Sequence, residues 1–375
     1  MKRFLIALLA LSLIFGMGFL MSGCEADEPV ADPDDPDEPV DEPDEPADPE
    51  ETFSWRHQVA YGEADLEYVA LDVFFEEIYE RTDGRLEITA YPAGTIVPEE
   101  EQLEAVERGV IDVSHAYGGY FRDVVPVADI EGGLAGQWPG FGYTEDYEHM
   151  LYDFEDGALA ELFRDAYREQ GGVYYLGSHS YSGYPVINSV EPIESIEDLQ
   201  GMIVRATGAW VDLLEAAGVS TTFVPGAEMY TELSLGTIDA ATWSVDGFID
   251  YAWYEVAPYI HVPTISAHSC SHMKINLDAW NALPEDIQQI VHEVYREVYI
   301  PELYALYEVQ WADIYEQEEE LGYTVVDHTD LVMELRELAT EVIWPEVEDR
   351  DDYTREAVEI INRWYEQHEE GDFKP

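Results

Sequence analysis

A fifteen-residue pattern, Pro98-x-x-Glu101-x-Leu103-x-x-Val106-x-x-Gly109-x-Ile111-Asp112, recurs 127 positions later as Pro225-x-x-Glu228-x-Tyr230-x-x-Leu233-x-x-Gly236-x-Ile238-Asp239. Each copy reads as one local unit. Proline opens a helix, glutamate sits in its electropositive first turn, apolar residues keep helical spacing, glycine stops the helix and a short strand follows. Two such units predict two lobes of similar design; the alternative is a chance likeness between ordinary helix-strand units. In open α/β sheets the carboxyl ends of strands line the ligand crevice, so Ala116 and Tyr117 of one copy are expected to face Trp243 and Ser244 of the other.

The front of the chain sets its compartment. Lys2 and Arg3 precede an apolar run from Phe4 to Met21 and then Ser22-Gly23-Cys24, the layout of a signal peptide over residues 1–23. The order Leu20-Met21-Ser22-Gly23-Cys24 resembles the bacterial lipobox. That resemblance implies a mature chain starting at a lipidated Cys24, tethered to the outer face of the cytoplasmic membrane, at a cell surface or in a periplasm. A transmembrane helix is the alternative, but the apolar run is barely long enough and an acidic tract follows it directly. Residues 24–52 are rich in Pro, Asp and Glu with almost nothing apolar, so they cannot fold alone. Proline stiffness and like-charge repulsion predict a tether reaching roughly 80 Å, at about 3.1 Å per residue.

Charge and cysteine narrow the partners. The chain has 82 acidic and 17 basic residues, a formal charge of −65, which excludes nucleic acid as a ligand. Only 15 of the acids lie in the tether, so the folded body carries the rest on its surface, where self-repulsion opposes compaction. Screening shortens to about 3 Å at 1 M salt. A salt-rich habitat is the expected setting, and the melting temperature should rise between dilute buffer and molar salt. With Cys24 lipidated, Cys270 is alone, and the fold depends on its core rather than on a disulfide.

Periodicity then sorts the body into alternating elements. Phe53–Tyr61 and Leu86–Tyr91 read as strands around a helix from Asp65 to Arg81, a β-α-β order that predicts a parallel sheet. The second lobe reads as strand Met202–Ala206, helix Trp210–Ala217 and strand Thr221–Val224, followed by the second repeated unit. Later come a strand from Cys270 to Asn276 and a long helix beginning near Pro284, which Pro301 should kink or interrupt. The expected boundaries are 53–177 for lobe 1, 178–268 for lobe 2, 269–320 for a return to lobe 1, and 321–375 for a helical segment packed on the lobes. Two or three crossings between lobes make hinge motion around a cleft the natural consequence.

The run NSVEPIESIEDLQGMIVRATG from Asn188 to Gly208, followed by VPGAEMYTELSLGTIDA from Val224 to Ala240, resembles the solute-binding proteins of tripartite ATP-independent periplasmic (TRAP) transporters. Supporting matches are TDGRLEI at Thr82–Ile88 and HMKINLDAWNALPEDIQQIV at His272–Val291, so the likeness covers most of residues 53–345. The resemblance implies an α/β, two-lobed type II periplasmic binding protein fold with a hinge and a long C-terminal helix bridging both lobes. It also implies capture of a small organic acid, usually a carboxylate, for an ion-driven membrane permease.

In that family an arginine on the strand after the DLxG turn commonly holds the ligand carboxylate, and the matching residue is Arg205. A guanidinium suits the task because its planar paired donors fit a carboxylate and its charge is permanent. The alternative for Arg205 is a buried ion pair with one of the many acids. Family position also marks Trp243, and Tyr117 in the related place of the first lobe, as pocket-lining; either can instead be core. Tyr181, Tyr184, Trp210 and Asp246 are weaker candidates from neighbouring loops. Some relatives carry a second basic residue around Tyr184-Pro185, and its absence argues against a ligand needing two arginine clamps. Others place a carboxylate beside the Trp243 position for a bound cation. Here Thr242 and Ser244 stand there, which speaks against a metal-bridged ligand, with Asp246 keeping it open.

Enzymatic signals are thin. His268, Cys270 and His272 alternate and would project to one side of a strand, a spacing able to bind zinc or copper, but no fourth ligand is evident. No nucleophile elbow, phosphate loop or dinucleotide fingerprint occurs, and no cofactor is expected. The expected function is a lipid-tethered, non-enzymatic receptor that closes over an organic anion and presents it to TRAP membrane subunits. Its rivals are the binding lipoprotein of an ATP-driven importer, and a surface hydrolase or metal-binding protein.

Overall fold

The computed structural model describes residues 51–131, 147–180, 184, 186–265 and 270–367. The leader, Cys24, nearly all of the tether, Tyr181 and His268 lie outside these residues. Among the described residues eleven strands form the framework: β1 (Phe53–Val59), β2 (Leu86–Tyr91), β3 (Val113–Tyr117), β4 (Val173–Ser180), β5 (Val186–Ser189), β6 (Ile203–Arg205), β7 (Ser220–Thr222), β8 (Ala240–Trp243), β9 (Tyr259–Val262), β10 (Cys270–Asn276) and β11 (Thr324–Asp327). They build two sheets, ordered β2-β1-β3-β10-β4 and β11-β9-β5-β8-β6-β7.

Apart from the added β11, the two sheets have the same plan. In the first, β1 runs parallel to β2 (Trp55 opposite Ile88) and to β3 (His57 opposite Val113), and β10 is antiparallel to β3 and β4. In the second, β6 runs parallel to β7 and β8, and β5 is antiparallel to β8 and β9. The repeated units occupy equivalent places. Pro98 and Pro225 each precede a single tight turn of helix, then the helices Gln102–Glu107 and Met229–Leu235. Gly109 and Gly236 take positive φ of 68° and 69°, a backbone turn that suits residues without a Cβ. β3 and β8 follow, buried along their whole lengths as central strands covered on both faces are.

The parallel pairing expected from β-α-β order holds for β1 with β2 and for β6 with β7 and β8, while each sheet as a whole is mixed. Each sheet holds one antiparallel strand, β10 returning to the first from beyond the second lobe's strands and β5 opening the segment that builds the second. The segment beyond residue 320 also contributes a strand, since β11 pairs in parallel with β9.

The chain passes between the sheets from β4 to β5, from β9 to β10, and again before β11. The long helical run starts after Pro284, as Glu285–Val294, and continues through Ile300–Glu316. Pro301 does not interrupt it. A wider π turn over Tyr295–Tyr299 precedes the proline and absorbs its missing N–H and ring clash; another, over Ala339–Ile343, precedes Pro345. The run braces both lobes, packing on the helix Leu71–Arg81 through its first half and on the helices Leu66–Val69 and Val245–Asp250 through its second. No helix among the described residues is long and apolar enough to cross a membrane.

The first lobe's core is unusually rich in histidine. His57, His115, His179 and His272 are all buried. His115 and His179 meet through their Nε2 atoms at 3.2 Å, and His179 Nδ1 lies 3.0 Å from Tyr295 Oη. Among the described residues neither ring nitrogen of His57 has a hydrogen-bond partner. Burial pushes His57 and His179 down to about 3, and lowers His115 as well.

Candidate ligand-binding cleft

Arg205 ends β6 and is fully buried. Its Nε donates to Val224 O at 2.9 Å and its Nη1 to Thr242 O at 3.1 Å, while Thr242 Oγ1 donates back to Arg205 O at 3.1 Å. Among the described residues its Nη2 has no hydrogen-bond partner. The guanidinium carbon lies 4.6 Å from the Trp243 ring centroid and 5.5 Å from that of Phe223. Carbonyl dipoles and two π faces therefore hold the cation in place of an anion. Among the described residues no carboxylate forms an ion pair with it, so the structural ion pair weighed for Arg205 is not what these residues build.

An aromatic cluster extends from this cation into the first lobe. Tyr184 packs on Tyr117 with ring centroids 6.0 Å apart and on Trp210 at 5.7 Å. Tyr120 meets Tyr117 at 5.7 Å and Phe223 at 6.3 Å. Burial pushes the hydroxyls of Tyr120 and Tyr184 up, and the Arg205 charge beside them pulls back. The structure thus gathers Arg205, Trp243, Tyr117, Tyr184 and Trp210 in one connected cluster. Tyr117 meets the second lobe at Tyr184, Trp210 and Gly208, and Trp243 covers Arg205. Tyr120 and Phe223 are members that sequence reasoning missed. Tyr120 sits in a glycine-rich loop without periodicity, and Phe223 read only as part of a strand.

The lobes touch here. Gly208 adopts φ 58° and ψ −143°, and a Cβ on it would fall 2.9 Å from Tyr117 Oη and 3.2 Å from Gly119 Cα. Only glycine permits that backbone shape and that approach together. Beside this contact Arg122 of the first lobe grips Asp212 of the second, with Nη1–Oδ2 at 2.6 Å and Nη2–Oδ1 at 3.3 Å. Arg350 joins Asp212 at 3.4 Å and bonds the fully buried Asp129, which Arg122 also approaches at 3.5 Å. Two arginines and two aspartates make this clasp neutral overall.

Asp246, expected near the pocket, instead faces a different cluster at the junction of the lobes. It accepts from Ser244 Oγ, and its second oxygen has no hydrogen-bond partner among the described residues. Asp65 accepts from Gly62 N at 2.5 Å and from Tyr251 Oη, also with one oxygen bare. Glu67 accepts from Tyr307 Oη at 2.7 Å. All three carboxylates are at most 1% exposed. Burial, then mutual repulsion, pushes Asp65 and Glu67 well above the ordinary carboxylate range, and burial also raises Asp246. Asp250 next to them rises to about 6.

Of the possible metal ligands on β10, Cys270 is buried and His272 lies 3.1 Å from Tyr167 Oη through Nδ1. Among the described residues no group of three or more His, Cys, Asp or Glu is arranged to hold a metal ion, the junction carboxylates included.

The family model described as bacterial extracellular solute-binding protein, family 7, matches residues 57–350. A monocarboxylate 2-oxoacid-binding periplasmic protein of Nostoc sp. is 25% identical over 262 residues, covering 63% of this chain and 63% of that protein. The chain thus spans less than two thirds of that relative's length. A solved TRAP transporter solute-binding protein from Bordetella bronchiseptica, with copurified calcium and picolinate, superposes with a TM-score of 0.77 at 22% identity, over 84% of this chain and 93% of that one. Another from Pseudoalteromonas atlantica, with bound sodium and pyruvate, gives 0.73 at 21% identity, over 84% and 95%. At these identities the likeness shows the two-lobed fold.

Proposed function

Because the chain belongs to family 7 of the bacterial extracellular solute-binding proteins, we propose that it is the receptor of a TRAP transporter, capturing a small organic acid between its lobes and delivering it to the membrane permease. The observation that carries this reading is the state of Arg205. It is a permanently charged side chain, fully buried, fixed by two carbonyls and two rings, with one donor edge unused and no carboxylate in contact with it among the described residues, Glu99 acting on it only from a distance. A buried cation so arranged is costly unless an anion arrives, and a carboxylate fits the open edge of a guanidinium. Exclusion of water by the closed lobes strengthens that contact. The printed names of the relatives, a 2-oxoacid-binding protein among them, support a carboxylate ligand.

The same reading places a lipid on Cys24 and uses residues 24–52 as a spacer between membrane and receptor, in keeping with the leader's lipobox-like end. Calorimetric titration at molar salt tests the ligand assignment. Arg205→Ala should abolish carboxylate binding by the wild-type fold, a loss of about 2–5 kcal/mol. Unchanged affinity rejects the role of Arg205.

A further inference from the structure

Two polar atoms of the aromatic cluster, besides Arg205 Nη2, lack a hydrogen-bond partner: Tyr117 Oη and Trp210 Nε1. They come from opposite lobes, Tyr117 at the end of β3 and Trp210 in the helix Ala209–Ala216, and they are 5% and 1% exposed. The indole N–H lies close enough to pull the Tyr117 phenol down against the upward push of burial, but the geometry of a hydrogen bond between them is not reached. Leaving buried donors bare is costly, since each loses its water without gaining a partner. Tyr184 packs against both rings and lies within the field of Arg205, so the guanidinium and the two bare donors belong to one cluster. All three unused groups are donors, and a ligand that satisfies them is rich in acceptors.

Charge decides what kind of acceptor meets Tyr117 and Trp210. The nearby clasp of Arg122, Arg350, Asp129 and Asp212 is neutral overall, and the Asp129 charge works against ionising Tyr117. A second carboxylate at this end would find no surplus positive charge. A neutral oxygen would find two donors.

Resting on the carboxylate reading of Arg205, we propose that Tyr117 and Trp210 bind a neutral oxygen of the ligand, a keto, hydroxyl or ring oxygen, so that the receptor selects oxygenated monocarboxylates over their deoxy counterparts and over dicarboxylates. Because the two donors sit on different lobes, this oxygen is fully bound only in the closed form. Tyr117 and Trp210 are thus specificity-determining residues.

Matched probes test this. The wild-type protein, Tyr117→Phe and Trp210→Phe are titrated calorimetrically at molar salt with pyruvate and lactate against propionate, 2-oxobutyrate and 4-hydroxybutyrate against butyrate, and succinate. At least one oxygenated probe should bind the wild type about tenfold or more tightly than its deoxy partner, the worth of one hydrogen bond. Tyr117→Phe should bring that ratio to within about threefold while leaving the affinity for the deoxy acid in place. Trp210→Phe, which keeps a ring, should reduce the ratio independently. Equal binding of deoxy partners by the wild type, succinate as the best probe, or equal weakening of both partners by Phe overturns the proposal; the last outcome marks a packing role. Failure of the Arg205 reading looks different, since then Arg205→Ala leaves binding untouched or no monocarboxylate binds at all.

Discussion

Among the described residues, the cleft holds a buried cation with no carboxylate bonded to it, and the lobe junction holds buried carboxyls with no cation bonded to them. Arg205 is lined by carbonyls and aromatic faces. Asp65, Glu67 and Asp246 are lined by hydroxyls, backbone amides and one another. The two problems have different solutions because of proton chemistry. A guanidinium cannot discard its proton at any ordinary pH, so its charge persists until a partner binds. A carboxylate can take one up, and a crowded group of them neutralises itself from solvent. One region is therefore built to respond to a ligand, the other to pH.

The largest expected effect comes from removing the charge that cannot neutralise itself. Arg205→Met should abolish carboxylate binding in titration and at the same time stabilise the ligand-free protein, by about 1–4 kcal/mol in chemical denaturation, as apolar replacements of buried charge do elsewhere. A ligand-free protein destabilised by this change would mean that Val224 and Thr242 already neutralise the guanidinium well enough.

At the junction the expected effect is smaller and depends on pH. These carboxyls hold protons in the folded state that the unfolded chain releases above about pH 4. Their contribution to stability is therefore complete below that pH and is lost as pH rises through the elevated folded values, about 6 for Asp250. Each group adds a slope of up to about 1.4 kcal/mol per pH unit. Asp246→Asn, neutral at every pH, should flatten denaturation midpoints between pH 5 and 8 and exceed the wild type at the upper end. Parallel curves for the two proteins would place the proton uptake elsewhere.

The first lobe's histidines bend the curve the other way. Their folded values lie below the unfolded one, so their share of stability is present above about pH 6.5 and is lost as pH falls toward about 3. His57, with neither nitrogen bonded, is the cleanest probe. His57→Phe should lower the pH of acid unfolding modestly, monitored by far-ultraviolet circular dichroism, with little change at pH 8. An unaltered acid midpoint would assign the acid limit to the other histidines.

Much of the framework was legible in the sequence because it is local. Leu86–Tyr91 and Cys270–Asn276 match β2 and β10 residue for residue, and the repeat marked equivalent units in two sheets of one plan. The antiparallel strands were not legible as such, because β10 returns from a distant segment, β5 leads directly in from the first lobe, and residue alternation is the same in either sense. The placement of Pro301 was half legible. A proline signals a break, and only the packed helix shows that one wide turn absorbs it. For the cleft, Arg205 and Trp243 followed from position along the chain, and the structure stacks one on the other. Asp246 sits beside Asp65 and Glu67 because a new helix starts at Val245 and its carboxyl bonds Ser244 Oγ there, a placement that spacing from Trp243 cannot reveal.

The interleaved strand order has a consequence for how such a chain is made. The first sheet has a gap between β3 and β4 that only β10 fills, and the second lacks its edge until β11 arrives. A polypeptide that emerges amino end first cannot complete either half before residue 276, nor the second before residue 327. The strands β1, β2 and β3 can pair as soon as residue 117 is present, but each finished sheet waits for a strand made long after its neighbours.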